Sequence, residues 1–582
     1  MCGIFGLINN SNNFSKDVIN KCFEKGKNRG PENSSINLLS HKVTFGFHRL
    51  AINGLDPISD QPITVNNVTL ICNGEIYNYK KLYKDLNITP KTNSDCEVII
   101  YLYLRYGIKQ TLLMLDGVFS FMLYDRNDME LPIYIARDPF GVRSLYQMTA
   151  NFSSHNNTTK KVYGFASEMK CLTDLYNESI GSVLTQFKPG TYSKLYLNIN
   201  KAICDYEMSV ENEKYFMLPF SYDLDKKIYT EKVILNTIYD QMCNAVKKRV
   251  ENTEREVACL LSGGLDSSLI TGLVCKFNPN ITEKIKTFSI GLPGSEDLKH
   301  AKQVSEYLKT EHYEVIVSED DMFNAIPEVI EKIESYDTTT VRASVGNYLV
   351  SKYIKENSQA KVIFNGDGSD EITGGYMYFH EAPDEYEFDS ECRRLLKDIY
   401  TFDVLRSDKT ISSNGLEART PFLDRSFVQF YLSLPPSLRY HPKDNNCEKF
   451  LLRKAFENRN VIPDSVLWRT KEAFSDGVSG DKKSWYQIID DKIVEKFGTK
   501  YDNDNGNTYL HNPPTTREQR YYRDIFYKLY PRVSNIIPYF WMPRFIDAND
   551  SSARTLDIYK EKQNNNNESE QNNESSISKT LQ

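Results

Sequence analysis

No run of eighteen apolar residues occurs in this 582-residue chain, and its opening, MCGIFGLINN, lacks the basic start and long apolar stretch of a secretory signal. A bilayer span needs about 20 apolar residues, so no membrane partner is expected and the chain is read as cytoplasmic. Positive charge is scarce: 71 Lys and Arg against 78 Asp and Glu leave a formal net charge of -7. That balance gives no reason to propose nucleic acid, which selects strongly basic faces. The eight histidines form no HExxH or HxxxH cluster, and the eleven cysteines form no CxxC pair. Zinc held by these residues and a disulfide framework are both excluded, so any metal is expected to arrive with a nucleotide. No GxxxxGK[ST] sequence occurs, which removes the usual loop for γ-phosphate transfer. Residues 561–582, ending QNNESSISKTLQ, hold no aromatic residue and few large apolar ones. Such a segment cannot offset its ordering entropy by burial, and a disordered tail is expected there.

With 40% hydrophobic and 12% aromatic residues, the rest has ample material for cores, and its length calls for two domains. Residues 1–210 carry short β-type runs, VTFGFHRLAI, VTLICNGEIY, GVFSFMLYD and LPIYIARD, with helical spacing near Lys16–Gly26 and Asp95–Tyr106. This predicts packed sheets with flanking helices. The acidic, aromatic stretch Tyr206–Lys226 is the expected connection, with a boundary near residue 210. From there to about residue 560, VACLL, IKTFSI, YEVIVS and KVIFNG alternate with helical stretches, which predicts a Rossmann-like parallel sheet. Residues 381–545 read mainly as helix, broken at Pro421, Pro435, Pro436 and Pro463. The fold class expected is therefore α/β and α+β in two domains.

Cys2 follows the initiator methionine, and removal of Met1 would give one residue a thiol nucleophile and an α-amine able to take its proton. Alone it could equally be an incidental cysteine at a frayed terminus. It is followed in order by Asn28-Arg29-Gly30-Pro31-Glu32, His48-Arg49-Leu50-Ala51-Ile52, Cys72-Asn73-Gly74-Glu75 and Ser94-Asp95-Cys96-Glu97. Together these resemble the class II glutamine amidotransferase domain. The resemblance implies an N-terminal nucleophile glutaminase with an αββα sandwich. Cys2 would attack the glutamine amide and Asn73 with Gly74 would hold the oxyanion. Arg49, Leu50, Ala51, Ile52, Asn53, Glu75 and Asp95 would complete the glutamine site, Arg49 gripping the α-carboxylate and Asp95 the α-ammonium.

The second constellation is an apolar strand followed by Leu261-Ser262-Gly263-Gly264-Leu265-Asp266-Ser267 and a helix. Glycines let backbone amides approach a phosphate, and the helix N-terminus favours its charge. A serine-capped turn would look similar, but SGGLDSS resembles the PP-loop of ATP pyrophosphatases, which implies AMP formation. Tyr336–Ser344, Asn365–Glu371, Glu417–Asp424 and Lys471–Gly477 follow. With the first domain, the whole from about residue 2 to 545 resembles glutamine-hydrolysing asparagine synthetase, with glutamine, aspartate and ATP as substrates and magnesium as cofactor. The resemblance implies that Leu261, Ser262, Gly263, Gly264, Asp266, Ser267, Ile290, Asn365 and Gly366 contact ATP. Asp367 and Lys471 would support β-aspartyl-AMP formation, Asp266 and Asp367 would hold magnesium, and Asp337 with Arg342 would take aspartate. A homodimer is compatible with this reading. Asn365-Gly366-Asp367 departs from the Ser-Gly-Glu of close family members, and Asn28 and Glu32 depart from histidine and aspartate. A different carboxylate acceptor, a β-lactam-forming relative and an inactive metabolite sensor are the competing readings.

Overall fold

The computed structural model describes residues 1–11, 13–153, 159–200, 204–221, 229–280, 282–442, 447–469, 483–502, 509–548 and 550–552. Twelve strands make two antiparallel six-stranded sheets in the first part. One runs β10 (Val183–Gln186), β8 (Tyr146–Ser153), β9 (Thr159–Ala166), β1 (Gly3–Ile8), β3 (Val43–Arg49), β2 (Asn33–Ser40). The other runs β12 (Asp205–Lys214), β11 (Thr191–Asn198), β7 (Ile133–Arg137), β6 (Gly117–Asp125), β5 (Val68–Ile76), β4 (Ile63–Val65).

Side chains alternate between the faces of a strand, and that alternation builds the layers. Ile4 and Ile8 of β1 meet Ile71 of β5 and Met122 of β6 between the sheets. Leu70, Cys72 and Ile76 turn the other way, onto helices Tyr79–Leu86 and Val98–Met114. Phe5 and Leu7 face helix Lys16–Glu24. The result is the αββα order. The helix expected over Asp95–Tyr106 continues to Met114 across a kink at Gly107, whose φ is 73°. The boundary expected at residue 210 falls inside β12, which pairs with β11 as far as Lys214. DYEMSVENEK hides its strand character because an edge strand here has two half-exposed faces.

The second part holds a parallel sheet in the order β15 (Glu311–Ile316), β14 (Lys286–Gly291), β13 (Val257–Leu260), β16 (Val362–Phe364), β17 (Glu417–Arg419). Its first four strands are those expected; β17 is three residues long and lay hidden in the segment read as helical. The chain leaves β13 toward one edge, then returns to β16 on the other side. That reversal between β13 and β16 opens a crevice at the carboxyl ends of the strands, where open α/β sheets bind ligands.

The two parts share cores. Leu50, Ile52, Phe140 and Val142 pack with Ile238, Met242 and Phe427. Buried charge also crosses the junction: Arg29 meets Glu168 at 2.7 Å and Asp408 at 2.8 Å, and Lys409 meets both Glu168 and Glu334. All eleven cysteines are free thiols, most of them buried. Among the described residues no helix is long and apolar enough to cross a membrane. The expected tail at 561–582 and the motif from Lys471 lie outside the described residues.

Candidate active sites

Strand alternation puts Cys2 and Asn73 on the faces that meet between the two antiparallel sheets, with Cys2 packed beside Ile4 and Phe47. The Cys2 thiol lies 3.5 Å from both the carbonyl and the amide nitrogen of Leu50. Met1 fills a closed slot, its α-ammonium donating to the Leu416 carbonyl at 3.0 Å. Burial raises the Cys2 thiol to about 11 and lowers the Met1 α-amine to about 6.

Asn73 is fully buried, and both its amide nitrogen and its amide oxygen lack a hydrogen-bond partner. A buried amide left bare costs about 1–3 kcal/mol, which a ligand can relieve. Gly74 is the only residue that fits beside it, since a Cβ there would lie 2.5 Å from the Val118 carbonyl. Asp95 accepts from the Ile76 amide at 2.6 Å, and burial raises its carboxyl to about 6. The Arg49 guanidinium turns onto its own loop, donating to the Asp56 carbonyl at 3.0 Å, to Gly54, and to Asp60. Asn53 donates to Glu75 at 2.7 Å, and the Ala51 amide to Glu32 at 2.7 Å.

The segment just before β13 grips this loop. The Glu254 amide donates to the Ile52 carbonyl, the Glu254 side chain accepts from Gly54, and Arg255 donates to the Ala51 carbonyl and to Glu32. The extra methylene of Glu32, relative to aspartate, thus reaches a partner in the second part. The same segment runs directly into the PP-loop.

That loop lies in a crevice lined by Leu261, Ser262, Gly264, Asp266, Ser267, Ile290, Asn365, Gly366 and Asp367. Gly263, at φ 76°, packs where a Cβ would sit 2.4 Å from the Ala301 backbone, and Ser262 and Ser267 exchange a 3.0 Å hydrogen bond. Lys449 is almost wholly buried and places its Nζ 2.6 Å from both Asp266 and Asp370. Asp367 faces elsewhere: one oxygen meets Arg406 at 3.0 Å and the other accepts from Asn365 at 2.7 Å. The two departures in the Asn-Gly-Asp loop therefore brace each other, because the Asn365 amide holds the shorter carboxylate.

Asp337 and Arg342 do not line the crevice. Asp337 caps helix Thr338–Asn357, accepting from Thr340 at 2.9 Å and from the Trp541 amide at 2.7 Å. Arg342 is bound by Glu518 at 2.8 Å and Asp550 at 2.8 Å. Helical spacing turns Thr339, Thr340, Ala343, Asn347 and Val350 to the crevice and carries Arg342 away from it.

The glutamine amidotransferase domain family matches residues 1–212, and the asparagine synthase family matches residues 237–387 and 381–535. A chicken protein, "Asparagine synthetase [glutamine-hydrolyzing]", is 42% identical over 581 residues, covering 96% of this chain and 99% of that protein. The human protein of the same name is 40% identical over 573 residues, with coverage of 96% and 99%. This chain belongs to the glutamine-hydrolysing asparagine synthetase family. In this synthetase the crevice-wall residues outside the motifs include Lys449, Asp403 and Arg406, and Glu371 closes the Asn365–Glu371 motif without a role implied for it. Asp403 and Arg406 lie one helical turn apart on helix Asp403–Ser412, a spacing visible in the sequence but common on any solvated helix.

Proposed function

We propose that this protein makes asparagine from aspartate, ATP and glutamine, with two chemical sites in one chain. The observation that carries the reading is the bare, buried Asn73 amide on the same inter-sheet layer as Cys2, combined with a PP-loop crevice in the family's second part. Once Met1 is removed, the α-amine of Cys2 takes the thiol proton and Sγ adds to the glutamine amide carbon. Asn73 and the Gly74 amide take the oxyanion, ammonia leaves, and water releases glutamate from the thioester. Arg49 exchanges its Asp60 contact for the glutamine α-carboxylate, and Asp95 meets the α-ammonium.

In the crevice an oxygen of the aspartate β-carboxylate attacks the α-phosphorus of ATP and pyrophosphate departs. Ammonia then attacks the acyl carbon and AMP departs, an activation required because a carboxylate is a poor electrophile. Leu261, Ile290 and Gly366 are assigned to the nucleotide, and Ser262–Ser267 with Lys449 to the departing pyrophosphate. Lys471 keeps its assignment from the motif alone. Magnesium fits the hard oxygen pair Asp266 and Asp370 better than Asp266 and Asp367, because those two already share one cation at 2.6 Å each. When bound it would neutralise phosphate charge. The domain division assigned on this basis is residues 1–214 for glutamine hydrolysis and residues from about 229 for synthesis.

Incubation with ATP, magnesium, aspartate and glutamine carrying a heavy amide nitrogen should give heavy asparagine with matching AMP and pyrophosphate by mass spectrometry. Glutamate without asparagine would refute the acceptor, and no turnover would refute both sites. The Asp95 role has a pH signature. A carboxyl raised to about 6 is neutral below that pH and cannot hold an ammonium. The glutaminase kcat/KM should therefore fall about tenfold per pH unit below pH 6, and Asp95→Asn should abolish that limb; an unchanged profile would remove Asp95 from glutamine binding.

A further inference from the structure

Among the described residues, the wall of the synthetase crevice carries more carboxylates than cations. Asp367 and Asp403 share Arg406, Asp266 and Asp370 share Lys449, and Glu371 stands on the same wall. The other two guanidiniums on the wall are committed: Arg453 to Glu448 and the Leu467 carbonyl, Arg469 to the Gly263 carbonyl at 3.3 Å and Asp297 at 3.9 Å. Within this cluster two polar atoms are buried with no partner, and they are of opposite kind. One is an acceptor, Oε2 of Glu371, whose other oxygen takes the Tyr376 hydroxyl at 2.6 Å. The other is a donor, Nε–H of Arg406, whose Nη2 already meets Asp367 and Asp403. Glu371 is 4% exposed. Buried polar groups are rarely left bare, so an orphaned acceptor and an orphaned donor on one pocket wall call for a ligand carrying both charges.

We propose that Glu371 and Arg406 are the amino-acid recognition pair of the synthetase site, Glu371 taking the α-ammonium of aspartate and Arg406 its α-carboxylate. This rests on the reading of the chain as an asparagine-forming enzyme and replaces Asp337 and Arg342 as the aspartate contacts. Asp367, paired to Arg406, then stands beside the substrate carbon chain, and Tyr376, Phe402 and Trp541 give the pocket an aromatic wall.

Two truncated acids separate the halves of the pair. Succinate is aspartate without its α-ammonium, and β-alanine is aspartate without its α-carboxylate; both keep the reacting carboxyl group. Pyrophosphate release is measured with each at saturating ATP and ammonium, and the kcat/KM ratios are compared. A site that binds a buried charge rejects analogues lacking it by several powers of ten, so wild type should prefer aspartate to either by at least about 10^3-fold. Glu371→Gln should cut the preference over succinate at least about tenfold and leave the β-alanine ratio unchanged. Arg406→Gln should do the reverse. Glutaminase activity and the KM for ATP report folding, and Glu371→Asp, which keeps the charge, should restore part of the succinate ratio. Variants that slow all three acids equally would overturn the assignment and leave the pair a support for the pocket wall. Wild-type protein that releases pyrophosphate with none of the acids would overturn the function itself, and this pair with it.

Discussion

Cys2→Ala should remove glutamine-dependent asparagine formation by roughly 10^4-fold or more, as loss of a sole nucleophile does, while synthesis from added ammonium stays within about twofold of wild type. The asymmetry follows from the layout. The thiol lies between the antiparallel sheets, where it touches Leu50 and the inter-sheet core, and it does not line the nucleotide crevice. Alanine there deletes one sulfur in a small-residue position, so the cost in stability is about 1 kcal/mol. Parallel assays with glutamine and with ammonium chloride decide it. Equal loss of both would mean that the two sites do not work separately, and retention of glutaminase activity would exclude Cys2 as the nucleophile. The same logic makes Met1 removal a requirement, which intact-mass measurement of active protein checks.

Asp266→Asn gives the converse result. The variant should lose ATP-dependent synthesis by about 10^2- to 10^3-fold and keep glutamine hydrolysis. Asp266 opens helix Leu265–Phe277, accepts from Ser369 at 2.8 Å and shares Lys449 with Asp370. Asparagine keeps the shape and the Ser369 contact and gives up the ion pair with Lys449, which retains Asp370, so the variant should still fold while the charge that would hold magnesium is lost. Raising the magnesium concentration should recover part of the rate. Synthesis that persists at the wild-type level would remove Asp266 from phosphate chemistry.

Motifs that depend on local backbone were legible before the structure: the PP-loop, the Asn73-Gly74 strand and four of the five parallel strands all stand where sequence put them. Residues whose role depends on which way a helix faces were not. Arg342 and Asp337 lie within an informative motif, yet the periodicity of helix Thr338–Asn357 turns Thr339 and Ala343 to the crevice and sends Arg342 to Glu518. Lys449 gives no sequence signal at all, because it reaches the loop at Asp266 across 183 residues. β17 gives no periodic signal because it is three residues long, and the short strand is fixed by pairing to β16.

The charged junction of Arg29, Glu168, Asp408, Lys409 and Glu334 sets a rule for exchanging halves between relatives. These groups are almost fully enclosed, and removing one member of a buried pair costs about 3–5 kcal/mol. A chimera that grafts a foreign glutamine-hydrolysing half onto this synthetase would need Arg29 and Glu168 to travel as a matched set with Asp408 and Lys409. Unmatched grafts should fail at assembly with both chemistries intact in principle. The junction thus acts as a compatibility code, through which the two halves have to drift together.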